Sequence, residues 1–164
     1  MSYFGRPDKP FTASSHIGIY TIAPLDASGL YGTFTAAPTL IPLNKALQPC
    51  AGVAINNGGL LLDNGSYLIT TPIGARSVAG VAASIETTWV INSNFANFTQ
   101  HTASFFANSA NTNTVGSCRQ GGVGPTAFVT TTAQVTLFFV VTAVSGQTWN
   151  IETYSTPIIV MRTS

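Results

Sequence analysis

Few side chains in this sequence can do acid–base, nucleophilic or metal chemistry. The acids are Asp8, Asp26, Asp63, Glu86 and Glu152, the histidines are His16 and His101, and the thiols are Cys50 and Cys118. General acid–base catalysis needs two such groups within hydrogen-bond reach of one reacting atom, and no paired-carboxylate spacing occurs among the five acids. A Ser–His–Asp triad can be assembled from distant residues, but no Gly-x-Ser-x-Gly elbow is present to present a nucleophile. Asp63-Asn64-Gly65 offers a cation one carboxylate, too few for a calcium loop. Gly121-Gly122-Val123-Gly124 lacks the Gly-Lys-Ser/Thr of a phosphate loop. Both read as turns. Two cysteines are neither a disulfide framework nor a closed zinc site, so unbonded thiols are expected. The residues point to a chain that is not an enzyme, with no catalytic, cofactor or metal site.

The scarcity of charge is itself informative. Lys and Arg number 6 and Asp and Glu 5 in 164 residues, 7% against 45% hydrophobic, where an ordinary domain carries about 25% charged residues. The water-facing surface must be built from Ser, Thr, Asn and Gln. Such a composition suits a permanent assembly better than a lone soluble enzyme. Arg6, Lys9, Lys45, Arg76, Arg119 and Arg162 are scattered, so no basic stripe addresses nucleic acid. The longest apolar run, Val135 to Val144, is too short to cross a bilayer as a helix. Met1 to Pro10 has no apolar core of a signal peptide, so synthesis in a cytoplasm is expected.

The elements that must position any site read as all β. Thr, Val, Ile and Phe abound, Gly and Pro punctuate, and no stretch keeps an apolar period of 3.6. Strands are expected over Gly32 to Ala36, Leu40 to Leu43, Gly52 to Ile55, Leu60 to Leu62, Tyr67 to Thr71, Val78 to Asn92, Thr102 to Ala107, Ala127 to Thr131, Val135 to Val144, Thr148 to Tyr154 and Pro157 to Arg162. That makes a jelly-roll sandwich of about 8–10 antiparallel strands. Asp63-Asn64-Gly65-Ser66 reads as a tight connection. Asn56 to Gly59, Ser109 to Val123 and Ser145 to Gln147 read as loops, the middle one either a binding loop or a plain connection. Pro72, directly after the Tyr67 strand, removes a ladder donor and points to an edge or a bulge.

Strand faces carry the argument for assembly. In Gln134 to Val144 both faces are apolar at mid-strand, and Ile158 and Val160 oppose Ile159 and Met161 in the same way. If one face fills a core, the other needs cover from a second subunit or from the chain's own loops. Phe138, Val140, Ile158 and Val160 are the expected subunit contacts. Residues 1–30 differ from 31–164: Pro7, Pro10 and Pro24 break them into extended pieces, yet Tyr3, Phe4, Phe11, Ile17, Ile19 and Tyr20 remain apolar. They read as an extended arm gripping another molecule through Tyr3, Phe4, Arg6 and Phe11, or else as an extra edge strand at Ile17 to Ile22. Trp89 and Trp149, with Phe95, Phe98, Phe105 and Phe106, either pack a core or offer platforms to sugars.

Gly59-Leu60-Leu61-Leu62-Asp63-Asn64-Gly65-Ser66-Tyr67-Leu68-Ile69-Thr70 resembles an apolar strand, Asp/Asn-Gly turn, Gly-x-Tyr signature. It is that of the tumour necrosis factor/complement globular-head superfamily and its bacterial and phage relatives. Thr130 to Val144 resembles that superfamily's penultimate strand pair, and Tyr154 to Arg162 its closing strand near a threefold axis. The resemblance implies a jelly roll that forms a homotrimer. No collagen-like stalk precedes it here. The arm in that place resembles a virion protein gripping a capsid. The expectation is a homotrimeric capsid decoration (cement) protein of a bacteriophage head, on the virion surface, with the major capsid protein as partner. The alternative is a receptor-binding head or spike tip that binds a host surface glycan.

Overall fold

A computed structural model describes residues 15–22, 30–34, 39–78, 83–91, 105–109, 117–122, 125–145, 149–152 and 156–164. Among them the chain forms β1 (Ile17–Thr21), β2 (Leu30–Phe34), β3 (Thr39–Leu40), β4 (Lys45–Gln48), β5 (Val53–Asn56), β6 (Gly59–Leu62), β7 (Gly65–Thr70) and β8 (Ile73–Val78). Then follow β9 (Ala83–Val90), β10 (Phe105–Ser109), β11 (Ser117–Gly122), β12 (Thr126–Thr131), β13 (Val135–Ser145), β14 (Trp149–Glu152) and β15 (Ile158–Arg162). All pair antiparallel. One sheet has the order β12-β7-β15-β1-β4, the facing one β10-β9-β13-β6-β5 with β3 added on β13, and a third the order β11-β8-β14-β2. The architecture is the expected antiparallel jelly-roll sandwich.

The third sheet is not an independent layer. Its strands β11, β8, β14 and β2 are sequence neighbours of β12, β7, β15 and β1, in the same lateral order. One long sheet is thus interrupted across its width, and among the described residues a proline falls in three of the interruptions: Pro72, Pro125 and Pro157. Proline has no N–H to give the ladder, so each of these three removes a donor where its strand breaks. Pro72 therefore marks neither edge nor bulge; β7 sits between β12 and β15. The expected strand over Val78 to Asn92 accordingly resolves into β8, ending at Val78, and β9.

One core fills the sandwich. Trp89, Leu137, Phe139 and Val141 from the sheet containing β13 meet Tyr20, Tyr67, Ile69, Ile158 and Val160 of the five-stranded sheet and Ile73, Trp149 and Ile151 of its continuation. Each of these large side chains removed from water contributes about 1.5–3 kcal/mol. The Trp89 and Phe139 rings stack with centroids 5.2 Å apart, and the Trp89 Nε1 donates to Thr71 Oγ1 at 3.0 Å. Asn57 and Gly58 take positive φ, 49° and 79°, in the turn joining β5 to β6, the backbone a two-residue hairpin requires.

Two boundaries move. Ile17 to Thr21, expected in the arm or at an edge, is a central strand between β15 and β4. Its alternate residues Tyr20 and Ile22 are core, and a Cβ on Gly18 would stand 2.7 Å from Cys50 Cβ, so this segment is packed into the body. The body therefore starts before the expected division at residue 31. The expected loop over Ser109 to Val123 contains β11, and β4 was not foreseen in the polar-looking stretch Lys45–Gln48.

Candidate functional site

In a pleated strand alternate residues share a face, so the core-facing set defines the other. On β15 the core takes Ile158 and Val160, leaving Ile159 and Met161 outside. On β7 it takes Tyr67 and Ile69, leaving Leu68 outside; on β12 it takes Ala127 and Val129, leaving Phe128 outside. Register then aligns the outward residues. Phe128 lies opposite Leu68, Leu68 opposite Met161, and Met161 opposite Ile17. This apolar row crosses four strands. Phe128 is 65% exposed, Ile17 43% and Met161 39%. A second row beside it runs Thr126, Thr70, Ile159 and Ile19. On the other side Ser66 and Thr130 bridge hydroxyl to hydroxyl at 3.1 Å. Leu47, 58% exposed on edge strand β4, extends the apolar character to the sheet margin. Contiguous exposed apolar surface ringed by threonine and serine is the anatomy of a contact face.

The expected subunit contacts lie elsewhere. Ile158 and Val160 are fully buried in the chain's own core, because β15 sits in the opposite phase to the one expected. Phe138 and Val140 are also buried, in a separate cluster with Val90 against which Leu40 packs. There β3 pairs beside β13 at Val140, and the burial of Val140 and Phe138 in the chain alone shows that it covers its own second apolar face. None of the four is available to a neighbour. Trp89 and Trp149 are buried as well, which removes them as sugar platforms. Tyr3, Phe4, Arg6 and Phe11 lie outside the described residues, as do Phe95 and Phe98.

A polar clasp secures one end of this face. Arg162 closes β15, its Nε donating to Ser164 O at 3.0 Å and its Nη2 to Asn64 O at 2.9 Å. Its guanidinium carbon stands 5.7 Å from the Tyr67 ring centre, a cation–π distance. The Tyr67 hydroxyl donates to Gly52 O and Asp63 O at 3.2 and 3.1 Å. Gly52 has φ +72° and a Cβ there would lie 2.6 Å from Arg162 Nη1, so only glycine fits. Next to it the Cys50 N–H donates to Tyr20 Oη at 3.0 Å. Cys50 carries a free, buried thiol. Asp63 Oδ1 accepts from Gln134 Nε2 at 2.8 Å, and no three His, Cys, Asp or Glu residues gather among the described residues.

Burial pushes the ionisations of Tyr20, Cys50 and Tyr67 upward; Arg162 partly opposes this at Cys50 and Tyr67. An acid held protonated by the fold loses its proton first in the unfolded chain. The unfolded state then binds fewer protons, and stability falls as pH rises. The contribution is complete below about pH 8 and is lost from about pH 8.5, the ordinary thiol range, through and beyond about pH 10, the ordinary phenol range. Urea titrations at successive pH values should show this decline, and Cys50→Ala should flatten its first part. A wild-type stability level to about pH 11 contradicts the burial argument.

No family model matches the sequence, and no curated protein matches it. The fold has solved counterparts. The chain is similar to the Eiger tumour necrosis factor of S. frugiperda, at 12% identity and a TM-score of 0.51, over 90% of this chain and 92% of that one. It is also similar to murine APRIL, at 10% identity and a TM-score of 0.45, over 89% and 98%. At the first of these likenesses the chain has the jelly-roll fold of a tumour necrosis factor.

Proposed function

We propose that this chain is a structural building block that self-associates as a homotrimer and serves as a decoration protein on a virion head. The observation that carries the reading is the exposed row Phe128, Leu68, Met161 and Ile17, on the sheet that the sequence resemblance assigns to a threefold axis. A protein with 11 charged side chains among 164 residues has little electrostatic means of holding partners, so assembly rests on apolar burial, which salt barely screens. The capsid is the partner of the segment before Ser15, whose Tyr3, Phe4, Arg6 and Phe11 combine aromatic anchors with one cation. Because β1 is a central strand, that role is confined to residues 1–14.

The test has two stages. Light scattering over a dilution series should give three times the 17.1 kDa chain mass; a monomer at all concentrations refutes the assembly. Immunogold labelling of purified virions of the encoding virus should then decorate the head surface. Unlabelled heads with labelled tail tips transfer the protein to the receptor-binding reading, and unlabelled virions end the virion assignment. Deleting residues 2–14 should leave the mass unchanged and abolish attachment to the head.

A further inference from the structure

The exposed apolar face differs at its two ends. On edge strand β12 it presents one aromatic, Phe128, between the exposed Thr126 and Thr130. Toward the other margin β15 and β1 present four apolar side chains with no polar residue among them. These are Met161 opposite Ile17 and Ile159 opposite Ile19. Three strand spacings of about 4.8 Å separate β12 from β1, so the Phe128 and Ile17 positions stand about 14 Å apart along the row. A ring of three chains cannot be built from two-fold contacts. Each chain gives one surface to the neighbour ahead and a different one to the neighbour behind. Three such rows set as the sides of a triangle leave its centre about 4–6 Å from each, roughly half the spacing of packed sheets. One layer of side chains fills that distance, and Leu68 and Met161, paired at the middle of each row, supply it.

We propose, resting on the homotrimer reading, that the subunit contact is head to tail: Phe128 of one copy seats on the patch Ile17, Ile19, Ile159 and Met161 of the next. The occupant of the patch is thus a second copy of this chain, an aromatic knob on an aliphatic surface. Three Phe128 rings gathered around the axis would leave every such patch in water. Head-to-tail seating covers both ends of all three rows.

Short-arm thiol cross-linking tests the contact. In a Cys118→Ser chain the remaining thiol, Cys50, is buried, which makes that chain the blank. Phe128→Cys and Ile17→Cys, singly and together in this background, are treated with bismaleimidoethane and sized under denaturing conditions. The double variant should run as a covalent trimer. Each single variant should stay a single chain, because its three new thiols lie at separate corners of the ring. An equal mixture of the single variants, refolded together from urea, should give covalent dimers; this arm carries the test if the double variant loses the parent's mass. Cross-linking of Phe128→Cys alone, double-variant products that stop at two chains, or no product in either arm overturns the head-to-tail contact. Light scattering of the parent chain separates the two readings: a mass other than three chains refutes the trimer itself, and the contact with it.

Discussion

Phe128→Asp yields a folded chain that scatters light as a 17.1 kDa monomer at concentrations where the parent chain is three times heavier. Phe128 is the most exposed large apolar side chain among the described residues and sits on edge strand β12, one register step from Leu68. In the isolated chain it touches mainly water, so replacing it leaves the core intact and changes folding stability by no more than about 0.5 kcal/mol, as surface substitutions do. At a subunit contact the same change forfeits about 1.5–3 kcal/mol of apolar burial per copy and adds the desolvation of a carboxylate. Three copies per assembly multiply the loss. The expected shift in association is at least about a thousandfold, or roughly 4 kcal/mol. Ala54→Asp, on edge strand β5 of the facing sheet, is the control and should leave the mass unchanged. A Phe128→Asp chain that still trimerises places the contact on another face.

How far the sequence speaks for this face can be followed residue by residue. In β12 the pattern Thr126-Ala127-Phe128-Val129-Thr130 puts a phenylalanine between two threonines on the polar side of the strand. That signal was available and points directly to the contact row. In β15 the run Ile158-Ile159-Val160-Met161 is apolar at every position, and with no polar residue to fix the phase, either face can be the inner one. Only the pairing of Val160 with Ile69 and Met161 with Leu68 decides it, and that is a long-range fact. The doubly apolar β13 was read as needing cover on its second face, with Phe138 and Val140 as subunit contacts, whereas the chain itself buries both. The strand that adds Leu40 to the cluster around Phe138 and Val140, β3, is two residues long, and so short a strand leaves almost no local signature.

The same contrast applies to the fold. Alternation and turn chemistry make the sandwich legible, because period-2 patterns and Asn-Gly turns are local properties. Pro72, Pro125 and Pro157, which stand at the strand breaks, were legible as residues that give no ladder donor. Their alignment across one sheet was not, because lateral strand order is set by tertiary pairing. Arg76 and Arg119 illustrate the point further: 43 positions separate them by number, and only the β8–β11 register makes them neighbours.

Trp89→Ala is expected to be the most damaging single change in the core. The indole is fully buried, stacks on Phe139 and spans from the sheet containing β13 to Thr71, just before the break at Pro72. Removing it costs about 3–5 kcal/mol through lost transfer energy and an unfilled cavity, a large part of the 5–15 kcal/mol typical of a whole domain. Thr71→Val removes the hydroxyl that accepts from Nε1 and orphans a buried donor, at about 1–3 kcal/mol. The two effects should not add. Once the indole is gone, Thr71 has lost that donor, so Thr71→Val in the Trp89→Ala background should cost little or even stabilise. Urea unfolding of the four chains measures the cycle, with the core Ile69→Val change in place of Thr71→Val as a comparison for ordinary loss of packing. Additive effects of Trp89→Ala and Thr71→Val would mean that the indole–hydroxyl bond does not join the two sheets. A coupling of about 1 kcal/mol or more would identify it as the polar tie that holds the facing sheet to the broken one at the line of prolines.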